Sequence, residues 1–311
     1  MHVCESENKS DSTEHLPMSV NWKSSPTIAL LALLAITAVW GSTFLVVQDA
    51  VKRMPVMDFL ALRFSVATLV MLAIRPTCLR GINRVGLIRG AGLGVVLGLG
   101  YIAQTYGLTH TSASVSGFIT GMFVVLTPVM SWVLLRRGAS RNTIIAVVLA
   151  TVGLGLLSLH GWSIGVGELL TLACALFFAL HIVGLGEWSA QHDPYSFALI
   201  QIGVVAVITL VASAPGGFTL PPDASVWGAV AVTAVLATAA GFLVQTWAQS
   251  LVPPTRAAVV MTMEPVFAGL FGVFIGGNQL TLRILGGAAC VLAAMFISEI
   301  KTTPAAPRLE T

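Results

Sequence analysis

The chain contains few charged residues. Only 9% of its 311 residues are Asp, Glu, Lys or Arg, whereas 56% belong to the apolar set AVILMFWYC. A soluble domain carries roughly 25% charged residues, because its surface must be wetted. A water-soluble globule is therefore excluded, and so is intrinsic disorder, which requires low hydrophobicity together with high charge. The composition is that of a membrane protein.

Cysteine and basic residues are also too sparse for several kinds of site. The four cysteines, Cys4, Cys78, Cys174 and Cys290, lie far apart and form no CxxC motif. Neither a disulfide framework nor a structural zinc site is predicted from such spacing. The net charge is only +3, and no concentrated basic stripe offers a surface to a nucleic acid. We expect no cofactor, no metal, no catalytic residue and no nucleic-acid partner.

Long apolar runs are what the sequence has in abundance. A helix needs about 20 such residues to cross ~30 Å of hydrocarbon. Ten runs of this kind follow one another, at 27–49, 55–74, 87–108, 112–135, 142–159, 166–188, 194–213, 225–250, 255–275 and 280–300. They are apolar all round, unlike the alternating strands of a β-barrel. The prediction is an all-α integral membrane protein with ten transmembrane helices and no inserted soluble domain.

The ends of the chain and its basic residues predict the topology. Residues 1–25 lack a basic segment leading into a short apolar core, so no cleaved signal peptide is expected. Residues 1–25 and 301–311 are predicted to be disordered tails. Most of the 16 Lys and Arg residues fall in connections on the side of the N-terminus, while Lys52, Arg53 and Arg283 fall on the other side. Lys and Arg concentrate on the cytoplasmic side, so both termini are expected in the cytoplasm.

The two halves of the chain resemble each other. FLALRF at 59–64 matches FALIQI at 197–202, and LTPV at 126–129 matches MEPV at 263–266. Each half holds five predicted spans, an odd number, so the second half must enter the membrane from the opposite side. Two inverted five-helix repeats, 26–160 and 161–300, are therefore predicted. Many secondary transporters have this architecture, with the substrate site between the repeats.

Several motifs carry a family resemblance. Trp40-Gly-Ser-Thr-Phe44, Arg63 and the segment from Thr111 to Pro128 resemble a first EamA repeat, and the segment from Pro254 to Val266 resembles a second. The chain is thus similar over residues 26–300 to the EamA family of the drug/metabolite transporter superfamily. The resemblance implies a ten-helix transporter of the plasma (bacterial inner) membrane that moves small metabolites, often outward. It names no substrate, because family members carry amino acids, sugars, nucleotide-related compounds and drugs.

Two ionisable residues inside the spans are the first site candidates. An unpaired polar group in hydrocarbon costs roughly several kcal/mol, so each of these residues needs a partner or a cavity. Arg63 could bind an anion in the transport pathway, or be a structural arginine held by carbonyls and hydroxyls. Glu264 could bind a proton or a substrate, or be a hydrogen-bonded structural glutamate. Pro265 removes a helical hydrogen bond and predicts a bend, as does Pro128 at the corresponding place in the first half.

Eight further polar or aromatic residues lie in the predicted spans. A histidine could titrate, glutamines could line a polar cavity, and aromatic rings could contact a ligand; equally, all could serve only packing and helix–helix hydrogen bonding. These candidates are Trp40, Gln104, Tyr106, Phe118, His181, Gln201, Gln245 and Trp247.

The sequence thus predicts a secondary transporter that moves a small metabolite or drug-like compound by alternating access. We expect an exporter, with the proton as a candidate coupling ion and the small solute and the lipid bilayer as partners; the oligomeric state stays open. The alternatives are a channel and an intramembrane enzyme. Gly161–Gly165 formally matches GxSxG, but it lies in a short connection without the strand–turn–helix that exposes such a serine. No metalloprotease or P-loop motif is present, so no enzyme is expected.

Overall fold

The structure is a computed structural model, and it describes residues 25–136, 141–158, 165–261, 263–277 and 281–299. The two predicted tails, apart from Ser25, and the GxSxG-like segment, apart from Gly165, lie outside these residues. Within the described ranges the chain is helical, without strands.

The described helices follow the predicted spans closely. They are α1 (Pro26–Val51), α2 (Val56–Ile74), α3 (Arg84–Leu108), α4 (Ala113–Thr120), α5 (Phe123–Leu135), α6 (Arg141–Ser158), α7 (Val166–Trp188), α8 (Pro194–Ser213), α9 (Ala224–Val232), α10 (Gly241–Leu251), α11 (Pro254–Met261), α12 (Met263–Phe274) and α13 (Leu282–Glu299). A π-helical segment, Thr233–Ala240, joins α9 to α10.

Eight stretches of the described chain are long and apolar enough to cross a membrane. They correspond to α1, α2, α3, α4 with α5, α7, α8, α9 with α10, and α11 with α12. The two other predicted spans coincide with the helices α6 and α13, each of 18 residues. The protein is therefore a multi-pass, all-helical membrane protein, while ten crossings and the inverted orientation of the halves stay predictions.

Helix starts are set by side-chain caps. Asn83 accepts a hydrogen bond of 2.7 Å from the backbone N–H of Gly86 at the start of α3. Asp193 caps α8 in the same way, followed by a proline at the first helical position, and Asp223 caps α9. Each cap satisfies one of the backbone N–H groups left unpaired at a helix start.

Two of the membrane-length stretches are interrupted. α4 ends and α5 begins around Gly121 and Met122, while Pro128, a predicted bend, lies inside α5. Pro265, the other predicted bend, is the third residue of α12. The second interruption is the π-helical segment between α9 and α10, whose turns are wider than those of an α-helix.

The helices of the two halves pack mainly against each other. α2 packs on α8, α3 on both α7 and α8, α1 on α10 and α12, and α6 on α13. At Gly41 in α1 a Cβ atom would lie 2.6 Å from the Cβ of Phe267 and 2.8 Å from the backbone oxygen of Glu264, so glycine is needed for this close approach. Small residues commonly allow such contacts between membrane helices.

Ion pairs link the halves at the two ends of α2. Before α2, Arg53 pairs with Asp223 at 2.8 Å; after α2, Arg75 pairs with Asp193 at 2.9 Å. The connections 52–55 and 217–223 therefore lie at one end of the molecule. The connections 75–83 and 189–193 lie at the other end.

Candidate functional site

A cavity that is open to solvent, with a volume of about 570 Å³ when the open space at its mouth is counted, lies between the halves. Its walls come from α1, α2, α3 and α5 of the first half and from α7, α10, α11 and α12 of the second. The lining residues are Trp40, Thr43, Phe44, Val47, Arg63, Leu97, Tyr101, Gln104, Leu108, Phe123, Phe178, His181, Ile182, Phe242, Gln245, Met261 and Glu264.

Arg63 is held in the cavity wall by neutral groups. Its side chain is only 2% exposed. Nε donates a hydrogen bond of 2.8 Å to the hydroxyl of Thr238, and one terminal nitrogen lies 3.5 Å from the Tyr101 hydroxyl. The guanidinium carbon lies 4.7 Å from the centre of the Tyr101 ring, a cation–π contact. None of the ion pairs in the described part of the chain involves Arg63.

Glu264 lines the same cavity from α12 and is 7% exposed. Its carboxyl group makes no hydrogen bond or ion pair with any residue of the described ranges. Arg63 does not neutralise it, although both line one cavity. A buried carboxylate without a partner is costly, so this group is available to a proton or to a ligand.

The π-helical segment supplies contacts to both α1 and α2. The indole N–H of Trp40 donates a hydrogen bond of 2.7 Å to the backbone oxygen of Ala237. One residue further on, Thr238 accepts the hydrogen bond from Arg63. Gly241 follows the segment, and a Cβ there would lie 2.9 Å from the Trp40 indole nitrogen. The segment therefore fixes the positions of two cavity side chains of the first half.

The amide and imidazole groups are connected in pairs. His181 Nε2 lies 2.7 Å from the side-chain oxygen of Gln201. Gln245 donates to Gln249 at 3.0 Å, and the Gln104 amide donates to the Thr120 hydroxyl at 3.3 Å. Each pair places one polar residue on the cavity and its partner behind it.

Aromatic rings form much of the remaining wall. Tyr101 meets Phe64, Phe178 and Phe242 edge-on, with ring centres 5.0, 5.3 and 5.9 Å apart. Trp40 lies 5.7 Å from Phe242. A wall of mainly apolar and aromatic side chains with a few polar groups is typical of sites for small molecules.

Six of the ten predicted pathway residues line this cavity, namely Arg63, Glu264, Trp40, Gln104, His181 and Gln245. The other four do not. Gln201 lies behind His181, Phe118 is buried beside Gly269, Tyr106 is 38% exposed, and Trp247 packs partly buried against a core cluster. In the described part of the chain no three His, Cys, Asp or Glu side chains lie close enough to hold a metal ion.

Sequence reasoning missed Tyr101, Phe242 and Thr238. Tyr101 lies three residues before Gln104, so helical periodicity places both on one face of α3, and that signal could have found it. Thr238 carries no such signal, because its position depends on the π-helical turns around it.

A cavity walled by membrane helices of both halves and lined by buried ionisable groups is typical of a membrane transport protein. The model of the EamA-like transporter family matches residues 27–159 and again 165–299, and the chain belongs to that family. The resemblance inferred from the motifs is thereby confirmed.

Relatives agree with this assignment. An uncharacterized transporter of Archaeoglobus fulgidus is 32% identical over 272 residues, which are 87% of this chain and 85% of the relative. The uncharacterized transporter YetK of Bacillus subtilis is 24% identical over 88% of this chain and 87% of its own length. A crystal structure of a protein 17% identical to this chain superimposes with a TM-score of 0.67, covering 87% of this chain and 97% of the other, which shows a shared fold.

Proposed function

We propose that the chain is a secondary transporter that carries a small metabolite or drug-like compound across the plasma (bacterial inner) membrane by alternating access. The cavity is the observation that supports this most directly. Its walls come from both stretches matched by the family model, and mainly apolar and aromatic side chains with a few polar groups line it, as in sites for small molecules. Rocking of one half against the other around such a site is how repeat-built transporters work.

The lining favours a solute with an apolar body and at least one charged or hydrogen-bonding group. Trp40, Tyr101, Phe178 and Phe242 provide apolar and π surface, which suits hydrocarbon, aromatic rings or organic cations. Arg63 is the cation that an anionic group of the solute would meet. Its existing neutral partners keep it in place without cancelling its charge.

Glu264 is the proposed proton-binding group. The other titratable or charged side chains on the cavity are Arg63 from α2, Tyr101 from α3 and His181 from α7, and none of the three is paired with Glu264 in the described structure. A carrier coupled to protons needs a group whose protonation differs between its two states. An unpaired carboxyl group on the pathway meets that need.

The proposed direction of transport and the proposed orientation in the membrane rest on the sequence. Export is inferred from the family resemblance, and cytoplasmic termini from the bias of Lys and Arg. The ion pairs Arg53–Asp223 and Arg75–Asp193 join the halves at opposite ends of α2. In the proposed alternating-access cycle, the cavity opens first at one of these two ends of the molecule and then at the other.

Counterflow in proteoliposomes tests the proposal. Vesicles containing the purified protein are loaded with an unlabelled solute from a metabolite and drug panel, and entry of the labelled solute is followed. Saturable, transient accumulation of the chemically unchanged solute is expected, which a channel or an enzyme would not give. Arg63→Ala should abolish it, whereas Arg80→Ala, in an exposed connection, should not. Absence of counterflow for every solute would contradict the proposal.

A further inference from the structure

The hydrogen bonds of Gln201 determine which nitrogen of His181 carries the proton. The Gln201 amide nitrogen donates to the backbone oxygen of Phe197 at 2.8 Å, and its side-chain oxygen lies 2.7 Å from His181 Nε2. Exchanging the amide oxygen and nitrogen would bring two acceptors together at Phe197, so the network fixes the amide orientation. An amide oxygen only accepts. His181 Nε2 is therefore the donor.

The second imidazole nitrogen is consequently an acceptor. In a neutral imidazole protonated at Nε2, Nδ1 keeps its lone pair. Nδ1 of His181 has no hydrogen-bond partner in the described residues. The fully buried side-chain atoms there that lack a partner are Ser65 Oγ, Ser189 Oγ, His192 Nε2 and Thr246 Oγ1. Nδ1 is not one of these atoms, so part of its surface is exposed. Since His181 lines the cavity, Nδ1 is accessible from there.

No ion pair in the described part of the chain supplies a counter-charge for a second proton on His181, and the carboxyl group of Glu264, on the same cavity, is not paired with it. His181 is 2% exposed, and none of the ion pairs there includes it. An imidazolium buried to that extent needs a carboxylate partner. The neutral form, with Nδ1 as an acceptor, fits these surroundings.

Packing holds both members of the pair in place. Gln201 is 0% exposed. A Cβ built on Gly94 of α3 would lie 2.8 Å from the backbone oxygen of Gln201 and 3.1 Å from its Cα, so α3 packs directly on α8 at this residue. On the other side, Phe242 meets the imidazole ring at 86° with ring centres 6.0 Å apart. A polar pair enclosed in this way has little freedom to exchange partners.

We propose that Gln201 is a positioning residue for transport, which holds His181 as the Nε2–H tautomer so that the cavity presents Nδ1 as a hydrogen-bond acceptor. The site then selects solutes that bring an N–H or O–H donor to this point, such as a protonated amine or a hydroxyl compound, over equally charged solutes that lack one. The selectivity rests on the proposed transport function, whereas the tautomer does not.

Nitrogen NMR of the full chain in nanodiscs tests the tautomer. With ¹⁵N-labelled histidine, protonated and unprotonated ring nitrogens are distinguished, and the His181 signals are assigned by their absence in His181→Asn. At neutral pH we expect a protonated Nε2 and an unprotonated Nδ1. Gln201→Leu should lose this preference. The matched control Gln249→Leu should keep it, since Gln249 also donates from a buried amide to a backbone oxygen, that of Ile182, without hydrogen bonding to His181.

Two NMR results would overturn the positioning role. One is a wild-type His181 protonated at Nδ1, alone or together with Nε2. The other is an unchanged His181 spectrum in folded Gln201→Leu protein.

Binding of matched amines tests the selectivity. The probes are 2-phenylethylamine and its N,N-dimethyl and N,N,N-trimethyl derivatives, which share ring and charge, while only the last lacks an N–H. The wild type should bind the first two roughly tenfold more tightly than the third, about the effect of one unpaired buried acceptor. The dimethyl compound controls for the size of the ammonium group, because it carries two of the three methyl groups and keeps one N–H.

Variants separate the positioning role from a purely structural one. His181→Asn, whose carboxamide oxygen can replace the Nδ1 acceptor, should keep the preference for N–H, whereas Gln201→Leu and His181→Leu should lose it. Equal binding of the three amines, or binding of none, by a wild type with the Nε2–H tautomer overturns the selectivity. Failure of counterflow for every solute overturns the proposed function instead, and the tautomer is still decided by NMR.

Discussion

Arg63 of α2 donates a 2.8 Å hydrogen bond to the hydroxyl of Thr238 in the π-helical segment between α9 and α10. The bond joins the first half of the chain to the second at the cavity wall. It gives a buried guanidinium a neutral partner and leaves its charge for a ligand.

Removing this hydroxyl should destabilise the protein measurably. Thr238→Val keeps the shape of the side chain but leaves Nε of Arg63 without its acceptor, which should lower the free energy of unfolding by about 1–2 kcal/mol. The matched control is Thr209→Val, because Thr209 is equally buried but donates only to carbonyls of its own helix. Unfolding in detergent measures the difference. Equal stability of the two variants would show that the Arg63–Thr238 bond contributes nothing.

A methyl group at Gly41 should separate α1 from α12. Gly41→Ala would bring Cβ within 2.9 Å of the backbone nitrogen of Ala268 and still closer to Glu264 and Phe267, and backbone atoms there cannot move aside separately. We expect a loss of about 1–3 kcal/mol from overpacking, and reduced counterflow because Glu264 is displaced. Gly92→Ala, which meets nothing within 4 Å, is the control and should leave both measurements unchanged. Wild-type behaviour of Gly41→Ala would mean that the contact is not tight in the working protein.

Proton coupling through Glu264 predicts a specific loss. Glu264→Gln keeps shape and hydrogen-bonding capacity but fixes the neutral form, so it should retain solute exchange in proteoliposomes and lose net transport driven by a pH gradient. Both activities are measured with the same labelled solute. A wild type indifferent to the pH gradient, or a Glu264→Gln variant that responds like the wild type, would leave Glu264 a structural residue.

The ion pair between Arg75 and Asp193 should weaken in acid. Burial by itself would raise the pKa of Asp193, but hydrogen bonds from the side chain and backbone of Ser196, together with Arg75, outweigh it and lower the pKa below its usual 3.8. A carboxyl group with a lowered pKa stabilises the fold above its unfolded-state pKa and loses that contribution as the pH falls through the folded-state value.

The stability of Asp193→Asn measures that contribution. Asparagine still caps α8, so only the charge is lost. The variant should be less stable than the wild type at pH 7 by no more than about 1 kcal/mol, because both side chains are nearly half exposed. The gap should close once the pH falls below the lowered pKa. A gap that persists in acid would contradict an electrostatic origin, and a gap that is the same in an Arg75→Gln background would exclude the ion pair with Arg75 as its source.

Labelling tests the predicted topology. In a protein with Cys4, Cys78, Cys174 and Cys290 replaced by serine, a cysteine at Pro222 should react with a membrane-impermeant maleimide in intact cells. A cysteine at Gly81 should react only after permeabilisation, because the two positions belong to opposite ends of the molecule. Reaction of both from the same side would refute the assigned orientation and the inverted repeat.

Sequence alone determined the class of protein and the position of its helices. With 9% charged residues, the chain has to place its surface in lipid, and each apolar run has to be helical because the bilayer offers no partner for unpaired backbone groups. The cost of burying polar groups also identified Arg63, Glu264 and His181 as residues that need a partner or a cavity. These conclusions depend only on local composition and on the solvent, so no tertiary information was required.

The tertiary structure decided which candidates face the cavity and which support it. Gln201 and His181 were equivalent in sequence, yet one lies behind the other, because side-chain direction depends on how α7 and α8 are rotated against α3. The stretch that contains Pro128 is interrupted around Gly121 and Met122, a position that no proline marks. No proline marks the π-helical segment either. Its hydrogen-bond partners, Trp40 and Arg63, are distant in the chain. Helix rotation and long-range hydrogen bonds are set by packing between the halves, and short-range sequence patterns do not encode them.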